Sequence, residues 1–170
     1  RDQLLDAGIG TLDGVVYTHS HADHVHGIDD LRQVVFNLRR RLPVWADAPT
    51  QDALISRFGY AFVQPEGSPY PPILELHSIN EAFDVPGAAG PIAFTPFQVD
   101  HGSMAALGFR IGDLAYLPAS QISFLRSLPS AVWVYPWFNG SQEFFASRGL
   151  NPEIWTLSDS VVRKVLALEL

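Results

Sequence analysis

Four of the chain's six histidines stand at positions 19, 21, 24 and 26, in the stretch YTHSHADHVHG of residues 17–27, with Asp23 among them. The run before it, GVVYTH at 14–19, is short, β-branched and aromatic, and reads as a buried strand. The run after it has Ile28, Leu31, Val34, Val35 and Leu38 at helical spacing. Asp29 and Asp30 fall in the first turn, and Arg39, Arg40 and Arg41 in the last. The histidines are therefore expected on a strand-to-helix loop near a helix N-terminus. Residues two apart in an extended segment project to the same side, so the rings of His19 and His21 can meet at one ion. Asp23 and His24 follow where a turn aims them at a second ion. A loop that merely caps a helix needs one polar side chain, not four imidazoles and a carboxylate at alternating positions, so a metal site is the stronger reading.

The ligand chemistry is narrow. The chain has no cysteine, which leaves His, Asp and Glu as donors. Imidazole with carboxylate suits Zn²⁺, Mn²⁺ or Fe. A three-ligand catalytic site needs one more residue from elsewhere, and two histidines remain. His101 ends the strand-like run FTPFQVDHG and precedes Gly102, which permits a sharp turn. His77 lies within LELHSIN. His101 is the expected ligand, His77 a surface or structural residue, and His26 a helix-terminal or supporting one.

The rest of the chain fits a globular α/β domain. It has 170 residues, 47% of them apolar and 17% charged, enough for one domain with a sizeable core. No apolar run reaches the ~20 residues a membrane helix needs. No signal peptide is visible at Arg1, and a cytoplasmic setting is expected. The net charge of −7 disfavours broad contact with nucleic-acid phosphates. A helix end is expected over 2–8, a strand over 42–47, a helix over 50–59 stopped by Gly59, and a Pro-rich loop over 64–72. The runs ILELHSI, IAFTPFQVDH, LGFRIG and LAYLP read as an antiparallel series on a helical layer. AVWVY at 131–135 reads as one more strand, and 158–170 as a terminal helix.

Residues 18–24, THSHADH, match the H-x-H-x-D-H signature of the metallo-β-lactamase fold, and VDHGS at 99–103 is similar to that fold's third-histidine segment. The longer runs YTHSHADHVHGIDDLR and HGSMAALGFRIGDLAYLP resemble the subgroup that contains phosphoribosyl 1,2-cyclic phosphate phosphodiesterases. The resemblance covers about residues 1–118 of a single domain and leaves 119–170 divergent. It implies an αββα sandwich with a two-metal site at one edge, acting on a small phosphodiester. Carried over by position, His19, His21 and His101 hold the first metal, Zn²⁺ or Mn²⁺. Asp23 and His24 contribute to the second, and Asp23 also orients the attacking water as the catalytic carboxylate. Ser103 and Arg110 are the candidates for gripping substrate.

The chain departs from the family in three places. Ala119 stands where the family has a bridging aspartate, and nearby Asp113 starts the strand, at the wrong end to replace it; nothing in the spacing of Glu153 or Asp159 supports either as a substitute ligand. No histidine follows His101. The family's opening strands, which precede the helix that resembles RDQLLDAG, are expected to be missing, which predicts an exposed sheet edge and hence self-association. A shifted reading frame and a divergent tail both account for the change after residue 118. The aromatic-rich segment 133–155 is expected to serve packing. One metal is then expected to bind firmly and a second weakly. The functions left open are a phosphodiesterase, a non-catalytic remnant of the fold, a nuclease, and a β-lactam or thioester hydrolase.

Overall fold

In the computed structural model, residues 2–112 and 114–118 are described, together with the backbone of 133–136. The chain runs through α1 (Asp2–Asp6), β1 (Val15–Val16), α2 (Ala22–Val25), a 3₁₀ turn (His26–Asp30), α3 (Leu31–Leu38), β2 (Leu42–Ala46) and α4 (Ala48–Phe62). It continues through β3 (Leu74–Ser78), β4 (Phe83–Val85), β5 (Ile92–His101), β6 (Met104–Ile111), β7 (Leu114–Leu117) and β8 (Trp133–Pro136). The strands form two sheets, ordered β1-β2-β3 and β4-β5-β6-β7-β8.

The first sheet is parallel throughout. Its connections explain this: helices separate β1 from β2 and β2 from β3, and a crossover helix returns the chain in its starting direction. The antiparallel series expected to begin at ILELHSI therefore begins one strand later. β3 pairs parallel with β2, whereas β4 through β7 are antiparallel. β4 was not anticipated from the sequence. β8, expected over 131–135, lies parallel to β7 over 133–136.

Side chains alternate across a strand, and the first sheet uses both faces. Val15, Tyr17, Leu42, Val44 and Ala46 pack with Ile28, Leu31 and Val34 of the 3₁₀ turn and α3, and with Leu54, Ala61 and Phe62 of α4. Val16 and Trp45 point the other way, into a second core with Val85, Phe94, Leu107, Phe109 and Tyr116 of the second sheet. The order of layers is helix, sheet, sheet. A helix on the far side of the second sheet is absent among the described residues, so three of the four expected layers are present. The expected helix over 158–170 and the aromatic segment beyond β8 lie outside those residues.

Two helix ends differ from expectation. α3 stops at Leu38, because Arg39 adopts a left-handed conformation (φ 55°) and its N–H bonds back to the Val35 carbonyl at 2.8 Å. The arginine triplet thus follows the helix and does not form its last turn. α4 passes through Gly59 to Phe62, with a break at Phe58 (φ −130°, ψ 29°). The burial of Ala61 and Phe62 carries the helix on beyond the glycine.

Candidate metal centre

β1 delivers the chain to the site through two backbone bonds. Tyr17 N–H donates to the Trp45 carbonyl at 2.9 Å, and Leu107 N–H of β6 donates to the Thr18 carbonyl at 2.9 Å. The second of these ties the two sheets together one residue before the first histidine. His19 is 1% exposed. His21 follows in extended conformation (φ −64°, ψ 153°) as the residue just before α2. The third ring comes from the far end of β5, where His101 pairs with Met104 across the two-residue turn Gly102–Ser103. Gly102 takes φ 71°, a left-handed value that glycine adopts without a Cβ penalty. The Asp100 carboxylate accepts the Gly102 N–H at 3.2 Å and braces the turn.

The three imidazoles meet. His21 Nδ1 is 3.1 Å from His19 Nε2 and 3.1 Å from His101 Nε2. Ring centroids lie 4.7, 4.7 and 4.9 Å apart, with the planes inclined at 75°, 68° and 59°. One ligand nitrogen from each ring lies within 4.8 Å of the others. Two nitrogens each ~2.05 Å from a tetrahedral ion are ~3.3 Å apart, close to the two short separations seen. The donor set therefore fits a divalent cation such as Zn²⁺.

The protonation state of His19 fits as well. Burial, and then the neighbouring imidazoles of His24, His101 and His21, push its pKa down to about 3, against a smaller upward pull from Asp23. A ligand must be neutral, and His19 stays neutral without a metal. Thr18 Oγ1 lies 2.9 Å from His19 Nδ1. In the tautomer that leaves Nε2 free to ligate, Nδ1–H donates to this hydroxyl. Thr18→Val keeps the shape and the backbone bond but removes that acceptor. Zn²⁺ affinity is expected to fall about tenfold, and unchanged affinity in a competitive chelator titration would remove Thr18 from the site.

The depressed His19 pKa also sets a pH dependence for the metal-free chain. Its folded value lies below the ordinary ~6.5 of the unfolded chain, so below that pH the unfolded state binds the extra proton. Stability is then full above about pH 6.5 and declines as pH falls toward 3, with a slope of up to ~1.4 kcal/mol per pH unit. Urea unfolding from pH 7.5 to 4.5 should show this decline, and His19→Asn should flatten it. An equally steep decline in that variant would assign the effect to other groups.

The remaining expected residues lie outside the three-nitrogen cluster. His24 is buried on α2, with its ring centroid 4.2 Å from that of His19. Its Nε2 lies 3.5 Å from Asp23 Oδ2, whose side chain is 75% exposed. Asp23 and His24 form a pair beside the three-nitrogen cluster and are not part of it. Ser103 sits exposed in the turn next to His101. Arg110 lies away from the cluster. It pairs with Thr95 at the opposite end of the β5–β6 hairpin from the His101–Met104 pair, roughly 20 Å away at ~3.3 Å per residue. Its Nε donates to the Gly112 carbonyl at 2.9 Å. His77 stacks on Trp45 at 5.0 Å, and His26 meets Phe58 edge-on at 5.9 Å, both away from the cluster. Asp113, Ala119, Glu153 and Asp159 lie outside the described residues. Sequence reasoning passed over Thr18, though its hydroxyl beside a ligand histidine was a usable signal. It also passed over Arg57, which carried no signal.

Residues 3–124 match the family described as Beta-lactamase superfamily domain. The chain is 38% identical over 135 residues to an octanoyltransferase of Porphyromonas gingivalis (strain ATCC BAA-308 / W83), a match that covers 75% of this chain and 26% of that protein. Among solved structures it is similar to a new diphosphatase from the PhnP family, with 32% identity and a TM-score of 0.61, covering 76% of this chain and 48% of that one. The metallo-beta-lactamase fold protein YhfI from Bacillus subtilis has 21% identity and a TM-score of 0.49, covering 74% of this chain and 49% of the other. The chain thus spans about a quarter of the curated relative and about half of each solved protein.

Proposed function

We propose a function for this chain from one premise: it belongs to the metallo-β-lactamase superfamily. Members of that family are mostly hydrolases that use divalent metals. Our reading is metal-dependent hydrolysis of a small phosphodiester, of the cyclic phosphate type, at the centre built from His19, His21 and His101. The observation that carries it is the convergence of three imidazole nitrogens from two distant segments. The similarity to a PhnP-family diphosphatase supports phosphorus chemistry.

A Zn²⁺ or Mn²⁺ ion held by the three rings would supply Lewis acidity and lower the pKa of water toward neutrality. The protein's own groups do the rest. Thr18 holds the His19 tautomer. Asp23, exposed beside the cluster, can accept the proton of an attacking water and orient it. Ser103, at the rim, has a hydroxyl free to donate to a phosphoryl oxygen. Asp23 and His24 offer two donors to a second ion, which is few for firm binding. Metal analysis after gel filtration should return about one ion per chain, and two tightly held ions would contradict this.

Hydrolysis of bis(p-nitrophenyl) phosphate with added Zn²⁺ or Mn²⁺ tests the reading, with His21→Ala as the control against contaminating enzymes. Turnover lost in that variant supports it. A chain that binds metal but turns over nothing is instead a non-catalytic remnant of the fold. The acidic balance weighs against a nuclease. The acyl-transfer name belongs to a relative of which this chain matches 26%, and β-lactam or thioester substrates serve as comparison assays. Among the described residues no helix is long and apolar enough to cross a membrane.

A further inference from the structure

Ser20 is the one residue between His19 and His21, so its peptide sets the angle at which the two rings meet. Three carbonyls in this stretch have defined partners. That of Thr18 accepts from Leu107 N–H at 2.9 Å, and that of His21 from His24 N–H at 3.1 Å. The Ser20 carbonyl accepts from Arg57 Nη1 at 2.7 Å, a side chain 37 positions away on α4. This is a short, charge-assisted bond to a buried residue. Around its break at Phe58, α4 holds the 20–29 segment at three points. Besides Arg57, Phe58 meets the His26 ring edge-on. Tyr60 Oη donates to both Asp29 carboxylate oxygens, at 2.7 and 2.8 Å.

We propose that Arg57 is a positioning residue of the three-imidazole centre: through the Ser20 carbonyl it holds the peptide between His19 and His21 so that both rings face one ion. The inference rests on the metal-binding reading above. Two effects of Arg57 oppose each other. Its fixed positive charge disfavours a nearby cation, while its hydrogen bond pre-arranges the ligands that receive it. The short bond and the burial of Ser20 make positioning the larger effect. Losing a group that orients metal ligands costs about 10–100-fold in affinity.

Co²⁺ titration followed by the visible absorption of a tetrahedral site tests this in the full chain. Arg57→Met should weaken Co²⁺ binding at least about tenfold and alter the band at saturation. Arg57→Lys, which keeps one donor and the charge, should restore most of the affinity. Tyr60→Phe, which loosens α4 at another point, should bind within a few-fold of wild type. Tighter binding in Arg57→Met would show that charge dominates and overturn the proposal. So would equal losses in Arg57→Met and Tyr60→Phe, or an unchanged affinity and band. Hydrogen exchange on the metal-free chain gives an independent reading. The His24 amide should exchange about tenfold faster in Arg57→Met, and an unchanged rate overturns the anchoring role. No tetrahedral band in the wild type would contradict the metal reading itself, and the exchange result would still decide whether Arg57 holds the loop.

Discussion

His21→Ala is expected to weaken Zn²⁺ binding by more than about a hundredfold, since removing a ligand costs more than the 10–100-fold lost with an outer partner. His21 Nδ1 is the shared vertex of the cluster, at 3.1 Å from each of the other two ligand nitrogens. Its side chain is exposed at the start of α2 and contributes little to the core. The metal-free variant should therefore unfold within about 1 kcal/mol of wild type. Wild type gains stability with added Zn²⁺ by mass action, ~4 kcal/mol at a thousand times the Kd, and the variant should lose that gain. Isothermal titration with parallel melting curves checks both parts. A variant that still bound Zn²⁺ tightly would place the ion elsewhere.

Phe109→Ala is expected to cost ~3–5 kcal/mol. Phe109 is fully buried between the sheets, edge-to-face with Phe94 at 5.8 Å and with Phe83 at 6.2 Å. A domain with ~5–15 kcal/mol in hand would lose much of its margin. The effect reaches the site, because β5 and β6 carry His101 and the Leu107 bond to Thr18, and both depend on the second sheet staying packed on the first. Metal-free Phe109→Ala should melt well below wild type and recover part of the loss with Zn²⁺. Denaturant unfolding with and without metal measures this. A cost under about 1 kcal/mol would mean that the two sheets do not share the core assigned to them.

The convergence of His19, His21 and His101 was the most legible part of the sequence, for a physical reason. His19 and His21 are local, and alternate spacing in an extended segment puts them on one side. His101 was legible because a strand-like run ended on it and the next residue was glycine. What failed to show were relations over distance. Strand direction left no mark in ILELHSI, and the helical crossover decided it. The hairpin register, which puts Arg110 at the end opposite His101, follows from the turn at Gly102 and cannot be judged from nearness in sequence. Gly59 carried a stop signal that the burial of Ala61 and Phe62 overrode. Arg57 looked like any exposed helix arginine, since its partner is a backbone carbonyl on another element.

X-ray absorption at the zinc edge of the loaded chain tests the central claim most directly. The account predicts three imidazole nitrogens at ~2.0–2.1 Å from the ion, with a water oxygen as the fourth ligand. His101→Ala should reduce the imidazole count by one. An oxygen-dominated shell, or a spectrum untouched by His101→Ala, would contradict it.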